Sequence, residues 1–100
     1  MRLTEEESEI IARTVSGLLG AHAEVFVFGS RLDDNARGGD VDILVETAAP
    51  VTRLELARLK MTLETRLRLP VDILIQERGV KPTPFLLMAR AQAQRLSRHL

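Results

Sequence analysis

Three aspartates lie inside segments that are otherwise apolar. Asp40 and Asp42 frame Val41 in Asp40-Val41-Asp42-Ile43-Leu44-Val45, and Asp72 interrupts Val71-Asp72-Ile73-Leu74-Ile75. In an extended strand, residues two apart point to the same face. Asp40 and Asp42 would therefore share one face, while Val41, Ile43 and Val45 turn to the other and into a core. A lone buried carboxylate is costly, and clustered carboxylates also repel one another. A cation relieves both costs. An all-oxygen donor set suits Mg²⁺ or Mn²⁺, which keep waters and take substrate phosphates as further ligands.

The second feature is Gly29-Ser30, after the apolar run Val25-Phe26-Val27-Phe28. Glycine lets backbone approach a phosphate closely. The serine hydroxyl and the N–H groups that follow can donate to it. A helical turn after Ser30 would add the favourable dipole of its N-terminus. Arg31 can add positive charge, and Gly39, after Gly38, offers a second close approach beside Asp40.

The elements that must position these residues follow from pattern. Thr4-Glu5-Glu6-Glu7 reads as a capping box. Ile10, Ile11, Val15, Leu18 and Leu19 give a helix over about 5–19, which Gly20 ends. Residues 25–28 form a strand covered on both faces. Residues 29–39 form a polar loop, and 40–45 a second strand. Thr52-Arg53-Leu54-Glu55 is another capping box. Leu56, Leu59, Leu63 and Leu67 follow at helical spacing, and Pro70 ends the segment. Residues 71–75 make a third strand. Thr83-Pro84 starts a last helix whose inward stripe is Leu86, Ala89, Ala93, Leu96 and Leu100. The expected class is α/β (α+β): a small mixed sheet of about three strands with flanking helices, in the order α-β-loop-β-α-β-α. The shared word Val-Asp-Ile-Leu at 41–44 and 71–74 marks two neighbouring strands that bring their aspartates together.

Composition narrows the alternatives. One hundred residues with 45% apolar content fit one domain over 1–100. Fourteen basic and fourteen acidic residues cancel, so there is no overall field for nucleic acid. Cysteine is absent, which excludes disulfides, thiolate metal sites and a thiol nucleophile. The acidic start is no signal peptide, and no apolar run approaches the roughly 20 residues that span a bilayer. A soluble, cytoplasmic protein without a membrane partner is expected. His22 and His99 read as surface residues. Arg90, Arg95 and Arg98 read as a solvated face at a helix C-terminus, with contact to an acidic partner or RNA as the alternative.

Taken together, Gly29-Ser30-Arg31, the nine residues between Ser30 and Asp40, the Asp-x-Asp strand and the later Val71-Asp72-Ile73 resemble the DNA polymerase β-like nucleotidyltransferases. Within that superfamily the chain is similar to the minimal nucleotidyltransferases (MNT), often paired with HEPN-domain proteins as antitoxin and toxin. The motifs cover about residues 24–76, and the length and element order cover the whole chain.

The resemblance implies that Asp40 and Asp42 bind two catalytic Mg²⁺ ions. It implies that Asp72 binds one of them and helps deprotonate the attacking hydroxyl. Gly29 and Ser30 would hold the β and γ phosphates of ATP or another NTP. The implied reaction moves a nucleoside monophosphate to a hydroxyl and releases pyrophosphate. In MNT–HEPN pairs the acceptor is a tyrosine of the partner. The chain lacks the helical domain that larger relatives use for base and acceptor, so a HEPN partner or a second copy would complete the site. Two other functions fit the same residues: an antitoxin that acts by binding alone, and a nucleotide sensor without turnover. The plain alternative for Asp40 and Asp42 is a pair of exposed acids on an edge strand.

Overall fold

Thr4 accepts a hydrogen bond from the Glu7 N–H at 3.0 Å, and the Glu7 carboxylate accepts from the Thr4 N–H at 2.8 Å. This reciprocal cap opens α1, Glu5–Leu19. The helix ends at Gly20, whose φ of +98° is open to glycine at little cost. The computed structural model describes residues 3–28 and 41–96. Thr52 and Glu55 repeat the reciprocal cap at the start of α2, Arg53–Leu67. Thr83 caps α3, Pro84–Gln92, through the Leu86 N–H, with Pro84 in the first turn. All three helix starts fall where the cap residues place them. The α2 helix stops before Pro70, because Arg68 adopts the left-handed conformation at φ 58°.

Four strands form one sheet in the order β3-β2-β1-β4. They are β1 Glu24–Phe28, β2 Val41–Thr47, β3 Val71–Glu77 and β4 Gln94–Arg95. The β1 and β2 strands are antiparallel, while β2 and β3 are parallel and joined through α2. The neighbouring Val-Asp-Ile-Leu strands are as the sequence anticipates.

The sheet is one strand wider than the expected three. The last helix stops at Gln92, and Ala93 turns extended with φ −84° and ψ 149°. Gln94 and Arg95 then pair antiparallel with Val27 and Phe26, and the Leu96 N–H donates to the Val25 carbonyl at 2.9 Å. Without this strand the outer edge of β1 would carry unpaired backbone groups. Satisfying them outweighs the helical spacing of Ala93 and Leu96. Leu96 still packs against the core as a half-buried side chain. Arg98, His99 and Leu100 lie outside the described residues.

The strand register sorts the two sheet faces. On one face lie Val25, Val27, Val41, Ile43, Val45 and Val71, all buried. Ile11 and Val15 of α1 and Leu59, Leu63 and Leu67 of α2 pack with them into the core. Buried Thr14 is satisfied by Arg66 of α2, whose guanidinium donates to its hydroxyl at 3.0 Å.

The Glu55 carboxylate is held below its ordinary range, first by its backbone hydrogen bond at Thr52 and then by the Thr52 side chain. A depressed carboxylate contributes stability above its unfolded pKa of about 4.3 and loses it as pH falls through the lower folded value. Glu55→Gln is therefore expected to reduce the loss of stability as pH falls below about 4.5. Thermal melts of both chains across that window check this. Parallel pH profiles would deny the cap its ionic part.

Candidate active site

The other face of the sheet carries the chemistry. In register across three strands, Phe28 pairs with Asp42 and Asp42 with Asp72. Neighbouring strands stand about 4.8 Å apart, so two carboxylates rise side by side from adjacent parallel strands. Two residues further along comes an apolar row, Phe26, Leu44 and Leu74, and beyond it Glu24, Glu46 and Gln76. The acids thus stand at one end of the face, on an apolar floor. Asp42 is half-buried and Asp72 exposed.

The α3 helix covers the middle of this face and leaves the aspartate row clear. Leu86 and Arg90 border a small cavity with Leu44, Glu46 and Gln76. The Arg90 guanidinium lies 3.9 Å from the centroid of buried Phe26 and meets the Glu46 carboxylate at 3.2 Å. Arg90 stays 47% exposed, as its reading as part of a solvated face expects, and adds a packed contact that reading did not include; a stacked cation at an exposed site contributes about 0.5–1 kcal/mol. Arg95 sits 3.4 Å from Glu24. His22 is exposed, as its place between α1 and β1 suggests.

Two hydrogen bonds fix the row's position. The Glu64 carboxylate of α2 accepts from the Val71 N–H at 2.9 Å, immediately before Asp72. The Val41 N–H donates to the Pro70 carbonyl at 2.9 Å, immediately before Asp42. The starts of β2 and β3 are thereby tied to each other and to the end of α2.

Of the sequence-derived site residues, the fold brings Asp42 and Asp72 together. Gly29, Ser30, Arg31, Gly39 and Asp40 lie outside the described residues. Gly29 follows Phe28, the partner of Asp42, and Asp40 precedes Val41, the start of β2. Among the described residues no three metal-capable side chains come together. The two paired carboxylates are a hard oxygen donor set, which fits Mg²⁺ or Mn²⁺ and not a soft metal.

A cleft of about 420 Å³ opens beside the acids. Asp42, Asp72 and Phe28 border it, with Ile73 and Leu74 of β3, Leu56 and Lys60 of α2, and Phe85 of α3. Because consecutive β3 residues line it, the cleft wraps around the β3 edge. Lys60 and Phe85 escaped the sequence reading. Lys60 sits beside the leucine stripe like any solvated lysine. Phe85 gave one usable signal: it is a large apolar residue off the inward stripe of α3, and it is 56% exposed.

The sequence profile of the nucleotidyltransferase domain matches residues 8–94, and the chain belongs to that family. No curated protein matches the chain by sequence.

Solved structures match the fold closely. A chain of the complex between tri-AMPylated Shewanella oneidensis HEPN toxin and MNT antitoxin is 18% identical, with a TM-score of 0.74 over 97% of this chain and 74% of that one. A chain of the MntA–HepT toxin–antitoxin structure is 18% identical, with a TM-score of 0.73 over 96% and 74%. A chain of a toxin–antitoxin structure with AMP-PNP is 21% identical, with a TM-score of 0.75 over 97% and 75%.

Proposed function

We propose that this chain is a Mg²⁺-dependent nucleotidyltransferase domain that moves AMP from ATP to a hydroxyl of a HEPN-domain partner. The observation that carries the reading is the register row Phe28–Asp42–Asp72, which sets two carboxylates side by side next to the strand end that continues into Gly29-Ser30. The similarity to a chain of an AMPylated HEPN toxin–MNT antitoxin complex and to a chain of a toxin–antitoxin structure with AMP-PNP supports the choice of nucleotide and partner. No helix among the described residues is long and apolar enough to cross a membrane; a cytoplasmic site of action is part of the proposal.

Asp42 and Asp72, joined by Asp40, would hold Mg²⁺ or Mn²⁺. When bound, the ions neutralise the triphosphate and polarise the α-phosphorus. Gly29 and Ser30 hold the β and γ phosphates, with Gly39 and Arg31 supporting them. Asp72, the more exposed of the two described acids, accepts the proton of the incoming hydroxyl. The acceptor oxygen forms its bond to the α-phosphorus as the bond to the bridging oxygen breaks, and pyrophosphate leaves.

The test is incubation of the purified chain with α-labelled ATP, Mg²⁺ and the HEPN partner. The expected result is label on the partner and release of pyrophosphate. Neutralisation of the partner without any label would establish the binding-only antitoxin in its place.

A further inference from the structure

We propose that the outer edge of β3 pairs with the same strand of a second copy, antiparallel and centred on Leu74, and so joins two four-stranded sheets into one of eight strands. This contact goes beyond the proposed chemistry and does not depend on it. Hydrogen bonds on the inner side of β3 fix which backbone groups face outward. The Arg78 N–H donates to the Thr47 carbonyl at 2.8 Å, and the Val41 N–H to the Pro70 carbonyl at 2.9 Å. With Val41 opposite Val71 in a parallel pair, residues 72, 74 and 76 bond to β2, and residues 71, 73, 75 and 77 turn the other way. Two of the outward groups are already used. The Val71 N–H donates to Glu64 at 2.9 Å, and the Glu77 carbonyl accepts from the Val80 N–H at 3.2 Å. The N–H and carbonyl of Ile73 and of Ile75 have no partner among the described residues.

The usual guards of a sheet edge are missing here. The opposite edge, on β1, is covered by β4. The β3 strand runs seven residues in unbroken register with β2, without proline, lysine or a bulge. Its side chains are apolar where its backbone is open. Ile73 and Ile75 are half-buried on the helix face, whereas Val41, Ile43 and Val45 on β2 are fully buried there. Leu74 is half-buried on the other face. The helices thus cover β2 and leave the flank of β3 open to a further strand.

The residues of the edge select a second copy as the occupant. Ile73-Leu74-Ile75 reads the same in both directions. In an antiparallel pair centred on Leu74, Ile73 of each copy lies opposite Ile75 of the other. Both residues turn their N–H and carbonyl outward, so the two pairs exchange four hydrogen bonds. Leu74 meets Leu74, and Asp72 meets Gln76, so no like charges are opposed. The acid rows of both copies then lie on one face, with the two Asp72 residues about 14 Å apart. The cleft rim formed by Asp72, Ile73 and Leu74 gains a wall from the second copy.

The experiment follows sedimentation and amide hydrogen exchange of the full chain, without nucleotide or metal, from about 10 µM to about 1 mM, the range of small interfaces. The expected result is a shift from one chain to two. The Ile73 and Ile75 amides should exchange at least about ten-fold more slowly at the highest concentration, while Leu74 and Gln76, bonded to β2, stay protected throughout. Ile75→Pro removes an outward N–H and no bond to β2, so it should keep its circular dichroism spectrum and remain a single chain. The sequence holds no cysteine, so Leu74→Cys gives a second reading. It should cross-link under mild oxidation, and Gln76→Cys, about 14 Å from its counterpart, should not. A chain that stays single at every concentration overturns the proposal. So does a dimer that Ile75→Pro leaves intact, or one whose Ile73 and Ile75 amides exchange freely. Protection that arises only when the HEPN partner is added gives the edge to that partner and overturns the proposal as well. None of these results bears on AMP transfer, which the label assay decides separately.

Discussion

Asp42→Asn is expected to lower AMP transfer about a thousand-fold, equivalent to ~4 kcal/mol of transition-state stabilisation, while thermal stability holds or rises. The two halves of this expectation come from the same geometry. Asp42 and Asp72 are directly opposed on parallel strands. Like charges in that position destabilise a sheet by about 0.2–1 kcal/mol. Asparagine fills the same space without the charge, so it relieves the repulsion from Asp72 and removes a proposed metal ligand in one step. Asp72→Asn should behave alike and also lose the group proposed to take the acceptor's proton. A transfer assay and a thermal melt on each variant decide the point. Lost activity with an unchanged or higher midpoint marks acids kept for chemistry. Lost activity with a matching loss of stability would make the pair structural.

The second large effect belongs to the core that holds the row. Leu63→Ala should cost about 2–5 kcal/mol, because Leu63 is fully buried between α1 and the sheet and its truncation leaves a cavity. For a chain of this length each kcal/mol shifts the midpoint by about 4–8 °C, so a fall of at least about 8 °C is expected. Leu54, on the same helix but 70% exposed, provides the contrast, and Leu54→Ala should move the midpoint by no more than a few degrees. Equal effects at the two positions would contradict the orientation of α2, and with it the placement of Leu56 and Lys60 at the cleft.

The sequence made the helix starts legible because each is a local event. Thr4 with Glu7, Thr52 with Glu55, and Thr83 with Pro84 satisfy their caps within one turn. The aspartate pair was legible because a strand's period of two separates the core-facing Val41 and Ile43 from Asp42. The repeated Val-Asp-Ile-Leu then pointed to register. The fourth strand was not legible. Gln94-Arg95 is too short for a pattern, and what holds it is the open edge of β1, some 68 residues earlier in the chain. The helical spacing of Ala93 and Leu96 pointed the other way. Arg90 is surface charge as its spacing suggests, but its contacts with Phe26 and Glu46, distant in the chain, were not legible. The cleft was hidden for a related reason: Lys60 and Phe85 meet only when α2 and α3 flank the same sheet edge.

The central claim is that Asp42 and Asp72 hold the metal that carries the triphosphate. Nuclear magnetic resonance of the isotope-labelled chain with Mn²⁺ and an ATP analogue methylene-bridged between the α and β phosphorus tests it most directly, since the paramagnetic ion broadens nearby signals. Broadening should centre on residues 41–43 and 71–73 and fade toward Glu24 and Arg78 at the far end of the sheet. It should be lost in Asp42→Asn. Broadening centred anywhere else, or persisting unchanged in that variant, would contradict the account.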